Sequence, residues 1–167
     1  LGSKRLLLDD IEKHVGNKVT FVDLFSGTSR VGHRMKQKGH SIISNDYATY
    51  AKALADCYVS ADRSKYISQV ETLVNEYNSN NNKLCGYFTK TFCCNSQFFH
   101  PKNGERIDWI REDLETKSLD PLLKNIMLTS LMEAADRVDS TCGVQMAYLK
   151  RYSKRSYKDL TLRVPAM

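Results

Sequence analysis

A short glycine loop and a later carboxylate have the residue types and the spacing needed to bind a nucleoside. Gly27 lies in the loop Ser26-Gly27-Thr28-Ser29, and Asp46 follows nineteen positions after this glycine. A glycine lets the backbone approach a ligand, and a carboxylate that ends the following strand can accept hydrogen bonds from both hydroxyls of a ribose. The pair therefore predicts a site that holds an adenosine, and a plain structural turn is the alternative interpretation.

Three classes of nucleotide site compete for this loop. A phosphate-binding P-loop needs Gly-Lys-Ser/Thr, but Gly32 is followed by His33 and Arg34, so this class is excluded. A dinucleotide site needs G-x-G-x-x-G, and Ser29 stands at the middle glycine, where a pyrophosphate would press on the backbone. S-adenosylmethionine has no pyrophosphate and tolerates a loop with fewer glycines. It is therefore the favoured ligand.

The elements around the loop predict an α/β arrangement with parallel strands. The apolar, β-branched run from Val19 to Phe25 is typical of a buried parallel strand, and 41–44 predicts a second one. Helices are expected over 4–15, 30–38 and 47–58. Strand, helix, strand and helix joined by short connections indicate a Rossmann-like, doubly wound domain.

The rest of the chain is predicted to be mostly helical. Helices are expected over 62–77, 106–115 and 121–139, the last with Asp120 as N-cap and Pro121 at its first position. Residues 78–82 are polar and predicted to be flexible, and 84–102 is predicted to be irregular. We therefore expect a cofactor-binding α/β core at 1–60, followed at 61–167 by a helical and irregular segment that is packed on the same domain and is a candidate DNA-facing part.

The charge of the chain favours a polyanionic partner. The net charge is +6 and the isoelectric point is about 9.0, and six basic residues between Met146 and Arg163 face only one acidic residue, with tyrosines interleaved. Cations neutralise phosphates and aromatic rings stack on bases, so this segment predicts contacts with double-stranded DNA; a solvated basic tail is the alternative. The expected DNA-binding residues are Lys150, Arg151, Lys154 and Arg155.

The cysteines and the hydropathy argue against a metal site and a membrane span. Five cysteines occur at irregular spacing without a CxxC or HxxxH pair, so we predict no metal and reduced thiols in the cytoplasm. No apolar run approaches the ~20 residues that a membrane-spanning helix needs.

The segment from Phe21 to Gly32 resembles the F-x-G-x-G cofactor motif of the D12-class adenine-specific DNA methyltransferases. Gly2-Ser3-Lys4-Arg5 and Asn45-Asp46-Tyr47 resemble the short motif and the ribose-binding strand end of this family, and 86–108 and 136–148 are similar to it as well. The resemblance implies a partial S-adenosylmethionine-dependent methyltransferase fold with a mostly helical C-terminal part. The implied cofactor-binding residues are Lys4, Asp23, Phe25, Ser26, Gly27, Thr28, Ser29, Asp46 and Tyr47.

Two departures from the family pattern bear on activity. Ser29 replaces the second glycine of F-x-G-x-G, which costs on the order of 1 kcal/mol if φ is positive there. The family also uses an (Asp/Asn/Ser)-Pro-Pro-(Tyr/Phe/Trp) motif to receive the flipped adenine, whereas the three prolines here, Pro101, Pro121 and Pro165, are separated. We therefore assign no catalytic residue and expect no methylation by this chain alone.

The sequence thus predicts the S-adenosylmethionine-binding part of a site-specific DNA adenine-N6 methyltransferase of a restriction–modification system. Its expected partners are double-stranded DNA and, as an open alternative, a second chain that carries the missing motif. A non-enzymatic DNA-binding or complementing subunit of a split methyltransferase is one alternative function. A nicotinamide-dependent oxidoreductase domain is another, which Ser29 disfavours.

Overall fold

The computed structural model describes residues 4–17, 19–143 and 147–167. These residues form two compact units. The first contains the described residues up to Tyr66 together with Pro165–Met167, and the second runs from Ile67 to Val164. The boundary between the units follows Tyr66, whereas the sequence analysis places it after residue 60.

The first unit is built on a pair of parallel strands. Its elements are a 3₁₀ turn at Lys4–Leu7, α1 at Leu8–His14, β1 at Thr20–Asp23, α2 at Arg30–Gln37, β2 at Ser41–Ser44, α3 at Thr49–Ala55 and a π-helical turn at Asp56–Ser60. The register pairs Thr20 with Ser41 and Asp23 with Ser44. This order and the parallel pairing agree with the strand, helix, strand and helix pattern in the sequence.

One face of the strand pair is covered by α2. Side chains alternate between the two faces of a strand, and the half-buried residues of β1 and β2 share the face on which Val31 and Met35 of α2 are buried. Val22 and Ile43 lie on the opposite face and are exposed. A short helix packed on one side thus fixes the strand ends, where the loop and Asp46 lie.

The second unit is mostly helical. It contains most of α4, which spans Arg63–Ser79, then α5 at Tyr87–Thr89, a π-helical turn at Lys90–Cys94, α6 at Pro101–Thr116, α7 at Pro121–Arg137 and a 3₁₀ turn at Lys154–Tyr157. Its core contains Tyr77, Ile110, Leu114, Ile126, Met127 and Leu162. Among the described residues, no helix is long and apolar enough to cross a bilayer.

The predictions of an irregular segment at 84–102 and of a helix that starts at Arg106 were wrong. The segment expected to be irregular contains α5 and the π-helical turn. Helix α6 begins at Pro101, five residues before the predicted start, because the His100 ring accepts a hydrogen bond from the Lys102 N–H and proline suits the first helical position. Glycine at 104 permits this packing, since a Cβ there would lie 2.3 Å from the Cys93 Sγ.

Candidate functional site

Backbone pairing between the strands continues beyond β1 and β2 and positions the loop. The Asn45 N–H donates to the Asp23 carbonyl at 2.8 Å, and the Ser26 N–H donates to the Asn45 carbonyl at 3.0 Å. The Asn45 side chain also donates to the Leu24 carbonyl at 2.9 Å. The loop after β1 and the residues after β2 therefore lie together at the carboxyl ends of the two parallel strands.

Gly27 and Asp46 are in direct contact. The Gly27 N–H donates to Asp46 Oδ2 at 2.8 Å, and the Ala48 N–H donates to Asp46 Oδ1 at 3.0 Å. Gly27 has a φ of 49°, in the left-handed region that favours glycine. The N–H groups of Ala48 and Gly27 hold the pKa of the Asp46 carboxyl below its ordinary value. Each carboxylate oxygen has two lone pairs, so an ionised Asp46 can hold the loop and still accept hydroxyl groups.

Ser29 occupies a strained and buried position. Its φ is 56°, it is the N-cap residue of α2, and its side chain is fully buried. The Ser29 N–H donates to the Ser26 carbonyl at 2.7 Å, whereas the Ser29 hydroxyl has no hydrogen-bond partner within the described ranges. The second glycine of the loop motif is therefore replaced at a backbone conformation that glycine would suit better.

Aromatic rings and one further carboxylate border the loop. The Phe25 side chain is 83% exposed and Tyr47 is fully exposed, so neither ring is buried in the core. Burial raises the pKa of the Asp23 carboxyl, and the nearby Lys4 charge opposes that rise. Thr28 is exposed and Ser26 is buried. The structure thus brings the predicted residues to one edge, with Gly2 and Ser3 outside the described residues.

Comparison with protein families and characterised enzymes gives a consistent result. The family model of the D12 class N6 adenine-specific DNA methyltransferases matches residues 1–167. The chain belongs to this family. Members of the D12 class use S-adenosylmethionine as the methyl donor.

Individual relatives are about one-third identical to the chain. Type II methyltransferase M.CviAII of Paramecium bursaria Chlorella virus 1 is 32% identical over 95% of the chain and 51% of the relative. Type II methyltransferase M.NlaIII of Neisseria lactamica is 30% identical over 100% of the chain and 53% of the relative. The chain therefore spans about half the length of these enzymes. No solved structure matches the chain.

The predicted DNA-binding residues of this D12-class chain differ in their surroundings. Lys150, Arg151 and Lys154 are exposed. Arg155 forms an ion pair with the Asp139 carboxylate, and its Nε donates to the Asp139 carbonyl at 2.9 Å. Arg155 is thus partly committed to the fold of the second unit, while the other three cations remain available to a partner.

A polar cavity in the second unit is missed by the sequence analysis. The cavity has a volume of about 410 Å³ and is lined by cationic and amide side chains, among them Asn80, Lys83, Lys102 and Arg106. The sequence feature that belongs to the cavity is the asparagine-rich stretch 78–82 with a lysine next to it, and this stretch was predicted to be flexible. It could not reveal the cavity, because Lys102 and Arg106 are contributed by another element.

The loop geometry predicts that Ser29→Gly stabilises the protein. A serine at a left-handed φ costs about 1 kcal/mol, and glycine removes this strain. Glycine also removes the buried hydroxyl without a partner, which costs about 1 kcal/mol. The greater conformational freedom of glycine in the unfolded chain offsets part of this gain. We expect the free energy of unfolding to rise by about 1 kcal/mol and Tm by about 3 °C. Thermal and urea denaturation measure both quantities.

Ser29→Ala is the matched control for this prediction. Alanine removes the hydroxyl but keeps a side chain at the positive φ, so its gain should be smaller than that of glycine. A gain for alanine that equals or exceeds that for glycine would show that backbone strain at position 29 is not what limits stability.

Proposed function

We propose that this chain is the S-adenosylmethionine-binding portion of a site-specific DNA adenine-N6 methyltransferase of a restriction–modification system, with the first unit as part of a Rossmann-like sheet. The observation that carries the proposal is the 2.8 Å hydrogen bond from the Gly27 N–H to Asp46 Oδ2 at the carboxyl ends of parallel strands. Ligands of open α/β sheets bind at this edge, and the family supplies the identity of the ligand.

The residues at this edge have the chemistry that an adenosine requires. The free lone pairs of Asp46 would accept the two ribose hydroxyls, and the exposed rings of Phe25 and Tyr47 offer apolar surface to the adenine. Lys4 would provide a cation for the carboxylate of the methionine moiety. When bound, S-adenosylmethionine supplies the methyl group, and this chain supplies binding and orientation.

The main chain of the loop, rather than its serine side chains, would face the cofactor. Ser26 and Ser29 are both buried, so their side chains point away from solvent and a ligand would meet backbone groups and the exposed Thr28. This arrangement suits a ligand that approaches a glycine closely, and it leaves Ser29 as a residue that shapes the turn.

The DNA substrate would contact the exposed cations of the second unit. Lys150, Arg151 and Lys154 are exposed and carry no carboxylate within 4.0 Å in the described part of the chain. Cations of this kind neutralise phosphates without reading the base sequence. Arg155, held by Asp139, would contribute charge from a fixed position.

Methyl transfer would require residues beyond those of this chain. The family places the target adenine against adjacent prolines and an aromatic ring, and Pro101, Pro121 and Pro165 are separated. We therefore propose that incubation of the chain with DNA and methyl-labelled cofactor leaves adenine unlabelled, and label on adenine would overturn this part of the proposal.

Calorimetric titration of the chain with S-adenosylmethionine tests the proposed function. We expect a saturable heat with a Kd in the micromolar to millimolar range, between about 1 µM and 1 mM, and no heat with NAD⁺ over the same range. Binding of NAD⁺ instead would support the oxidoreductase alternative. Salt-sensitive DNA binding without any cofactor binding would support the non-enzymatic DNA-binding module.

A further inference from the structure

The polar cavity of the second unit lies between three segments. Residues 78–83, the first turns of α6 and residues 159–161 form its walls, and its volume is about 410 Å³. Three cationic side chains line it, Lys83, Lys102 and Arg106, against the single carboxylate of Asp159. The cavity therefore carries an excess of positive charge in a concave, water-accessible place.

Arg106 is the most unusual of these cations because it is buried without an acidic partner. Its side chain is 6% exposed, and it donates to Asn80 Oδ1 at 3.0 Å, the Asn82 carbonyl at 2.6 Å and the Tyr77 carbonyl at 2.7 Å. Its guanidinium also lies 5.2 Å from the centre of the Trp109 ring. All of these are neutral groups, and no carboxylate of the described residues lies within 4.0 Å of it. A buried charge without a counter-charge is costly, so an anion in the cavity would be stabilised.

The two lysines reach the cavity from its rim. Lys102 donates to the Tyr157 carbonyl at 2.7 Å and to Asp159 Oδ1 at 2.7 Å, while Lys83 lies 4.0 Å from a carboxylate oxygen of Glu105. The Asp159 side chain is 88% exposed. An anion that entered could therefore replace the Asp159 carboxylate as the partner of Lys102 at little cost in burial.

The walls of the cavity are fixed by paired amide contacts. Asn78 donates to the Leu162 carbonyl at 3.0 Å and accepts from the Leu162 N–H at 2.9 Å. Asn103, which is buried, donates to the Ser156 and Lys158 carbonyls at 2.9 Å each and accepts from the Leu160 N–H at 3.1 Å. A site whose groups are already held in place loses little conformational entropy when it binds.

We propose that this cavity binds a phosphate group of the DNA backbone, with Lys83 and Lys102 as direct ligands and Arg106 as the buried charge that stabilises the anion. The proposal rests on the proposed function in one respect, that double-stranded DNA is the substrate. It assigns to α6 and the asparagine-rich stretch before α5 a DNA contact separate from the basic segment at 150–155.

Lys83→Gln tests the proposal without disturbing the core. Lys83 is 43% exposed at its side chain, so glutamine should not affect folding. We expect the affinity for a 20–30 base-pair duplex, measured by fluorescence anisotropy at about 0.1 M salt, to fall about fivefold, and the slope of log K against log salt to fall by about 0.9. Lys124→Gln is the matched control, because it also removes one lysine charge and one ion pair, at 2.6 Å from Glu115.

Asp159→Asn tests the same cavity in the opposite direction. Removal of its carboxylate frees Lys102 and eliminates repulsion of the phosphate, so we expect duplex affinity to rise about threefold. Glu112→Gln is the matched control, since Glu112 is exposed on α6 and its replacement changes the net charge equally. Opposite shifts in the two cavity variants, each exceeding its control, would support the proposal.

The outcomes separate this proposal from the proposed function. Cavity variants that behave like their controls would overturn the phosphate site, while cofactor binding measured by calorimetry would stand. Conversely, absence of cofactor binding together with the Lys83 effect on DNA would overturn the proposed function and leave the phosphate site intact. Lys83-dependent binding of inorganic phosphate, seen by amide chemical shifts without any effect on DNA, would make the cavity a free-phosphate site and overturn the DNA assignment.

Discussion

Replacement of Asp46 by alanine is expected to lower the affinity for S-adenosylmethionine by about 100-fold. Each hydrogen bond to a charged group contributes about 1.5–3 kcal/mol, so the loss of two ribose contacts would remove about 3 kcal/mol of binding free energy. The same substitution also removes the acceptor of the Gly27 N–H at 2.8 Å and that of the Ala48 N–H at 3.0 Å. Calorimetric titration of the variant measures the change directly.

The matched control for Asp46→Ala is a variant that removes a similar carboxylate elsewhere in the first unit. Asp62 is suitable, because it accepts the Ser64 N–H at 2.9 Å and the Ser64 hydroxyl at 2.8 Å, and its hydrogen bonds with Ser64 also lower its pKa. Asp62→Ala should leave cofactor affinity within about twofold of wild type. Asp46→Asn keeps one acceptor oxygen and should show an intermediate loss.

A result in which Asp46→Ala and Asp62→Ala bind the cofactor equally well would reject the ribose role of Asp46. The hydrogen bond to Gly27 would then be a structural cap of the turn, which is the alternative interpretation of the same residues. Thermal denaturation of both variants distinguishes the cases, because a purely structural role changes stability in proportion to the lost hydrogen bonds and leaves affinity unchanged.

The proximity of Gly27 and Asp46 could be predicted because it depends on local pattern and topology. A β-branched run, a glycine loop, a helix and a second apolar run lead to adjacent parallel strands, and their carboxyl ends must meet at one edge. The sequence shows that Ser29 stands where the family has a glycine, and this predicts strain only if φ is positive there. The structure supplies that φ, which is 56°.

The second unit was less predictable because its framework consists of buried polar groups from distant segments. The polar composition of 78–82 predicted a flexible stretch. In the structure, Arg106, more than twenty positions away, donates hydrogen bonds to the Asn80 side chain and to the Asn82 carbonyl. Similarly, the sequence does not show that Arg155, a predicted DNA-binding residue, also forms an ion pair with Asp139. Charged residues do not reveal in sequence which of them find a partner, because partner and burial are tertiary properties.

Asp108 illustrates such a buried polar group, and its replacement is expected to give the largest loss of stability. Its carboxylate is 6% exposed and accepts hydrogen bonds from the Gly86, Phe88 and Thr89 N–H groups at 2.9, 2.9 and 2.8 Å and from the Thr89 hydroxyl at 2.6 Å. In Asp108→Ala these donors lose their acceptor inside the protein. Because each unsatisfied buried donor costs about 1–3 kcal/mol, we expect the free energy of unfolding to fall by about 4 kcal/mol.

Asp120→Ala provides the comparison that isolates the effect of burial. Asp120 also accepts backbone N–H groups at a helix start, from Leu122 at 2.9 Å and Leu123 at 3.2 Å, but it is exposed. Loss of such a cap typically costs about 1 kcal/mol, since water can replace the carboxylate. Urea denaturation followed by circular dichroism measures both variants, and equal losses would contradict the role assigned to Asp108. A loss of unfolding free energy four times larger for Asp108→Ala than for Asp120→Ala would mean that α6 organises the 86–94 segment through one desolvated carboxylate. A pattern of hydrophobic and polar residues in the sequence cannot specify such a contact.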